Sequence, residues 1–196
     1  MSEFGAYHIA DNPKLYEPVR RNNYRFLAKF DNIDLLKVGE NPNLDSSYIR
    51  NGQEILDFSV VSFDVPHFSQ NAIEVRRGNS IVHYAGLPQW KTGSLVINDL
   101  VGADGKSVLM AWQALSYDVI NDTIPNASEY KVDATVMEYT ADNKLVRYWD
   151  LIGCWISELN EDGWDSNNGE KKQVTATITY DRAIPHLPDE LVYRSE

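Results

Sequence analysis

The fold is decided by residues 145–181, which read LVRYWDLIGCWISEL at 145–159, NEDGWDSNNG at 160–169 and QVTATITYD at 173–181. The first run is rich in the aromatic and β-branched residues that strands favour. In the last run, apolar residues alternate with Gln and Thr, so one face is apolar and the other is rich in hydroxyl groups. The stretch therefore predicts two strands joined by an acidic, glycine-containing loop, with the hydroxyl face turned to water or to another subunit.

Composition sets the broad class of the protein. The chain has 196 residues, of which 43% are hydrophobic, and this fits one globular domain. Its formal charge of −11 excludes binding to nucleic acid by phosphate neutralisation, because such binding needs clustered Lys and Arg. The single cysteine, Cys154, excludes an internal disulfide and a cysteine-built zinc site, and its apolar neighbours predict a buried, unreactive thiol. We find no secretory signal and no apolar run long enough for a membrane span, and we expect no membrane partner.

Elsewhere the chain alternates between strands and turns. We expect strands at residues 24–30, 55–65, 72–75, 80–85, 91–100, 130–140 and 144–153. The turns at 77–79 and 141–143 carry the Gly, Asn and Asp that tight hairpins need. A loop is expected at 121–128, around Pro125.

Helical spacing is convincing in one segment only. It begins with Asp104 or Ser107 as the cap, and its apolar stripe comprises Val108, Trp112, Leu115 and Val119. A short helix is also expected at 44–49. Together the elements predict a mainly β protein, a small β-sandwich or barrel with one packed α-helix.

The sequence offers no catalytic or metal-binding motif. It has no G-x-S-x-G turn and no glycine-rich phosphate loop, and its four histidines are scattered without an H-E-x-x-H pattern. The acidic loop supplies oxygen donors at Asp162, Asp165, Asn167 and Glu170, but its glycine and glutamate do not follow the spacing of a calcium-binding EF-hand. The sequence therefore predicts no enzyme, no cofactor and no metal site.

Several features together resemble the tail tube proteins of contractile-tailed bacteriophages. The most specific is WDSNN at 164–168, which leads into the final strand; Trp90 and Asn98-Asp99 flank an earlier strand, and AWQAL at 111–115 lies in the helix. The resemblance covers about residues 22–182 and is interrupted by an insertion at about 31–54. Residues 1–21 and 183–196, each marked by prolines, are expected to be arms.

This resemblance implies a structural virion protein. Six copies would form a ring in which strands from each subunit join one inner barrel, and the rings would stack into a tube inside a contractile sheath. DNA would pass through the lumen without specific binding, and the partners would be the sheath, baseplate and tail terminator proteins. The protein would assemble in the host cytoplasm and reside in the phage tail.

The candidates for forming the ring or lining its lumen lie in the two predicted hairpins, 72–85 and 130–153. They are Glu74, Arg76, Ser80, Val82, Tyr84, Lys131, Asp133, Thr135 and Arg147. Glu74 and Arg76 share a strand face and are expected to point inward. Two alternatives remain open: a tube protein of a baseplate, bacteriocin or secretion machine, and a free-standing β-sandwich binding module, for instance for carbohydrate.

Overall fold

The computed structural model describes residues 20–32, 52–101, 104–119, 121–165 and 169–187. The strands in these ranges are β1 (Tyr24–Lys29), β2 (Val60–Phe63), β3 (Phe68–Arg77), β4 (Ser80–Trp90), β5 (Gly93–Asn98), β6 (Val132–Tyr139), β7 (Leu145–Glu161), β8 (Gln173–Thr179) and β9 (Arg182–His186). The helices are α1 (Gly52–Ser59), α2 (Gly105–Ala114) and α3 (Ala127–Tyr130), with a 3-10 turn at Phe30–Asn32. The prediction of a mainly β protein is confirmed.

A long hairpin of β7 and β8 lies at the centre of the sheet. The 17-residue strand β7 pairs antiparallel with β8 along its second half and with β9 along its first half. Strands β6 and β1 continue the sheet from β7, whereas β5 and β2 continue it from β8, which gives the order β1-β6-β7-β8-β5-β2. The terminal run that alternates in sequence is β8, whose Val174, Ala176 and Ile178 are fully buried.

Strand β7 bends at Gly153, where it passes from one half of the sheet to the other, and we call this bend the corner. Gly153 has φ +69°, a left-handed conformation that favours glycine. Its amide donates to Asp133 Oδ1 at 3.0 Å, and nearby Lys131, just before β6, binds Asp181 through Nζ at 2.8 Å. Because the sheet turns here, its two halves enclose one core.

The ends of the strand order approach each other. The rings of Phe26 on β1 and Phe63 on β2 lie 4.8 Å apart, although these strands stand at opposite ends of the sheet. In the described residues the fold is thus a sandwich close to a closed barrel, with an opening between β1 and β2.

Helix α2 confirms the predicted helix and covers the core. Asp104 is the cap, with its carboxylate accepting the Ser107 amide at 2.9 Å. Trp112 is fully buried, donates from Nε1 to the Tyr130 carbonyl at 3.2 Å, and meets Phe30 edge to face. The helix ends at Ala114, earlier than predicted: Val119 is exposed in a turn that the bridge between Asp118 and Thr123 closes.

Three sequence-based predictions are corrected. The predicted strand 55–65 begins as helix α1, because Leu56 and Ser59, three residues apart, both face the core and Phe58 points out. Helix α3 takes in residues 127–128, which were expected in a loop, and Tyr130, which was expected to begin a strand. The predicted C-terminal arm starts too early, since Ala183 is buried in β9 and this strand pairs with β7.

Other expectations fall partly or wholly outside the described residues. These are the arm at 1–21 apart from residues 20–21, the helix at 44–49, most of the insertion at 31–54, residues 166–168 of the WDSNN motif, and the chain beyond residue 187.

Candidate functional site

The β3–β4 hairpin stands apart from the sheet. It confirms the predicted hairpin and is longer, running from Phe68 opposite Trp90 to Arg77 opposite Ser80. Within the described part of the chain, β3 and β4 pair only with each other. The root is clamped by the edge-to-face contact of Phe68 with Trp90 at 4.9 Å and by Trp90 against Tyr180 at 6.1 Å.

The hairpin has one apolar face and one polar face. Cross-strand partners point to the same side, so Ile73 with Tyr84 and Val75 with Val82 form the apolar face. Ile73 is 53% exposed and Tyr84 45%, so this face is largely open to solvent. A large exposed apolar surface marks an interaction site, and a two-stranded hairpin alone is marginally stable in water.

Predicted lumen candidates occupy both faces of this hairpin. Glu74 lies opposite His83, with Oε1 and Nδ1 3.8 Å apart, and Arg76 follows on the same polar face. Ser80, Val82 and Tyr84 lie on the apolar face. If one face of the hairpin lines the lumen, the lumen therefore receives either Glu74 and Arg76 or the three residues of the apolar face, but not both sets.

The remaining candidates make contacts within the body of the subunit. Lys131 and Asp133 hold the corner described above. Thr135 is 8% exposed and donates to Asp150 at 2.9 Å, and Arg147 binds Glu138 at 2.9 Å.

Asp150 is the centre of a polar cluster that sequence reasoning missed. It accepts from Thr135, lies 3.1 Å from His186 Nε2, and has Lys29 Nζ at 4.0 Å. The His186 ring stacks on Tyr148, with centroids 4.5 Å apart and planes 8° apart. The available signal was the alternation of polar residues in 148–152, which places Tyr148 and Asp150 on one strand face.

A cleft opens between β1 and β2, with a volume of about 880 Å3. Apolar side chains lining it include Phe26, Val60, Phe63 and Val136. Charged residues also line it: Arg20, Arg21, Arg25, Asp57, Asp64, Glu138 and Arg147. Two ion pairs lie along this lining, Arg25 with Asp57 at 2.6 Å and Arg147 with Glu138 at 2.9 Å.

The loop after β7 presents an exposed tryptophan. Trp164 is 90% exposed, with Lys172 Nζ 4.7 Å from the centre of its ring. Lys106 and Lys172 both donate to Glu161, at 2.8 and 3.0 Å, and these bonds hold the pKa of Glu161 below its ordinary value. The loop is thereby tied to helix α2.

Cys154 is fully buried, as predicted, and burial raises the pKa of its thiol to about 12. In the described ranges, His, Cys, Asp and Glu side chains do not gather in threes as a metal site would require. Nor does any helix of the described part have the length and apolar content to cross a membrane.

Comparison with known proteins finds similarity in structure but not in sequence. No protein-family model and no curated protein matches the chain. It is similar to a chain of the PVC sheath–tube complex of an extracellular contractile injection system in its extended state, with 16% identity, a TM-score of 0.60, and coverage of 93% of this chain and 98% of that chain. It is also similar to the tube terminating cap of the anti-feeding prophage, with 14% identity, a TM-score of 0.61, and coverage of 92% and 99%.

A third similar structure is the PVC sheath/tube terminator in the extended state, with 15% identity, a TM-score of 0.59, and coverage of 88% and 99%. The chain therefore has the fold of the tube proteins of contractile injection systems. At the level of fold, this confirms the resemblance to tail tube proteins.

Proposed function

We propose that this protein is the structural subunit of the tube in a contractile, phage-tail-like machine. Six copies associate into a ring, rings stack into a tube inside a sheath, and baseplate and terminator proteins cover its ends. The role is structural, not catalytic. The observation that carries the proposal is the β3–β4 hairpin, which projects an apolar face from a fold shared with tube proteins and whose two outer edges no described strand pairs with.

The energetics of the hairpin favour association. Each ladder hydrogen bond that a neighbouring strand makes contributes about 0.5–1.5 kcal/mol net. Burial of Ile73, Val75 and Tyr84 adds the hydrophobic term, at roughly 25 cal/mol per Å2 of apolar surface removed from water. A hairpin that binds a different surface on the next copy makes a head-to-tail interface, and such interfaces generate rings when the rotation closes.

The charge of the chain suits a conduit. With a formal charge of −11, the assembled wall repels phosphate and lets DNA pass without sticking. In this proposal Glu74 and Arg76, on the polar face of the hairpin, remain the candidates for the lumen.

The test is assembly of the purified protein, followed by gel filtration and negative-stain microscopy. We expect rings or tubes for the natural sequence, and their loss when Ile73→Glu places a charge on the apolar face. Ile81→Glu is the matched control, because it makes the same change on the opposite face of the same hairpin. A folded protein that stays monomeric at high concentration, even with a baseplate nucleus, would favour a free-standing binding module and refute the proposal.

A further inference from the structure

We infer that the cleft between β1 and β2 is the acceptor for the β3–β4 hairpin of a second copy. The inference rests on the proposed function and identifies the two halves of its subunit interface. The donor is the apolar face and edge of the hairpin, and the acceptor is the open side of the barrel.

The cleft lies between two strand edges that the described part of the chain leaves unpaired. In that part, β1 has only β6 beside it and β2 has only β5. Both strands line the cleft, and their Phe26 and Phe63 rings touch beneath it. An added strand there would find backbone partners and would complete the barrel, which removes exposed edges.

The surfaces of donor and acceptor match in pattern. The cleft offers apolar side chains such as Val60 and Phe63, together with charged side chains of both signs. The hairpin offers the same division, with Val75 on its apolar face and Glu74 and Arg76 on its polar face. A strand inserted with its apolar face on Phe63 turns Glu74 and Arg76 away from the core, to the side that the proposed function assigns to the lumen.

The hairpin of the same subunit does not fill this cleft. Asp64 and Val65, which line the cleft, connect β2 directly to the hairpin, whose own pairing stays within β3 and β4 in the described part. Donor and acceptor are thus different surfaces of one chain, both available to other copies. Their contact is head-to-tail, as a ring requires.

Cross-linking between introduced cysteines tests the contact. Val75→Cys places a thiol on the apolar face and Val61→Cys places one in the cleft, while the buried Cys154 gives little background. Each single variant is assembled, alone or mixed with the other, and treated with a short bis-maleimide, which tolerates a small shift in register. We expect strong dimer formation in the mixture and little with either variant alone.

The doubly substituted chain, V61C/V75C, should give a ladder of cross-linked species that ends at the number of subunits in the ring. Ile81→Cys replaces Val75→Cys in the matched control and should cross-link several-fold less, because Ile81 lies on the other face. Cross-linking within one chain that is independent of dilution would overturn the inference, since the cleft would then receive the subunit's own hairpin.

Hydrogen exchange on the natural sequence provides a measurement that needs no substitution. On assembly, amides of β1, β2 and the hairpin should all gain protection. Rings whose new protection lies elsewhere, for example along β9, would overturn this inference and leave the proposed function intact. A protein that forms no rings under any condition would overturn the proposed function itself.

Discussion

Replacing Gly153 with alanine tests whether the corner of the long β7 hairpin fixes the fold. Gly153 has φ +69°, and an added Cβ would collide with the Asp181 carboxylate, lying 3.0 Å from its Cγ. Asp181 is also the partner of Lys131, so the substitution strains the backbone and displaces one side of an ion pair. The prediction is a clear loss of stability without a change of fold.

The magnitude follows from these two contributions. An L-residue in the left-handed region costs about 1–2 kcal/mol. The Asp181 side chain is 54% exposed and can rotate away, so the collision itself adds little, and the lost ion pair is worth about 0.2–1 kcal/mol at such exposure. The total of about 1–3 kcal/mol corresponds to a fall in Tm of roughly 2–4 °C per kcal/mol for a chain of this size.

The assay is urea denaturation of the unassembled protein, followed by tryptophan fluorescence. Gly163→Ala is the control, because a Cβ at Gly163 meets no atom of the described residues within 4 Å, and it should stay within about 0.5 kcal/mol of the natural protein. The double variant Gly153→Ala/Asp181→Ala should lose less stability than the sum of the losses in the two single variants. The collision and the ion pair involve the same carboxylate, so part of the loss is shared. If Gly153→Ala were as stable as the control, the corner would not depend on this conformation.

Three further predictions concern the body of the subunit. Cys154 should react with a thiol reagent only as the protein unfolds, because it is fully buried with a pKa raised to about 12; rapid labelling of the native protein would contradict this. Since Lys106 holds the pKa of Glu161 below its ordinary value, the stabilisation by Glu161 is present above its unfolded pKa and lost as the pH falls through the lower folded value. Glu161→Gln should therefore weaken the loss of stability below about pH 4.5 in urea titrations, and an unchanged pH profile would count against the pair. Trp112→Phe should cost about 1–3 kcal/mol, measured in urea, because it leaves the Tyr130 carbonyl without its indole donor; a neutral effect would mean that water replaces the bond.

The sequence predicts best where each residue faces either the core or water. Strands β5 and β8 alternate with period two because one face of each lies on the core, and both were predicted. Helix α1 was missed because four apolar residues among 55–60 fit either period, and only the burial of Leu56 and Ser59 selects the helix.

Strand β9 was missed for a different reason. Pro185 argues against a strand because proline donates no hydrogen bond, but β9 pairs only with β7 in the described part of the chain, and proline is tolerated on an edge. The roles of Lys131 and Asp133 at the corner were also out of reach. The partner of Lys131 is Asp181, 50 residues away, and local sequence carries no signal for such a pair.

The β3–β4 hairpin packs little against the core, and this determines how the assembly experiments can be interpreted. Among the described residues, the buried core includes none between Phe68 and Gln89, and Trp90 packs against it only in part. Clamped at its root by Phe68 and Trp90, the hairpin adds little to the stability of the body. A substitution such as Ile73→Glu should therefore leave the free energy of unfolding of the monomer nearly unchanged while abolishing association. If instead it destabilised the monomer by as much as a core substitution, the apolar face would already be packed within its own subunit and would have no surface to offer a neighbour.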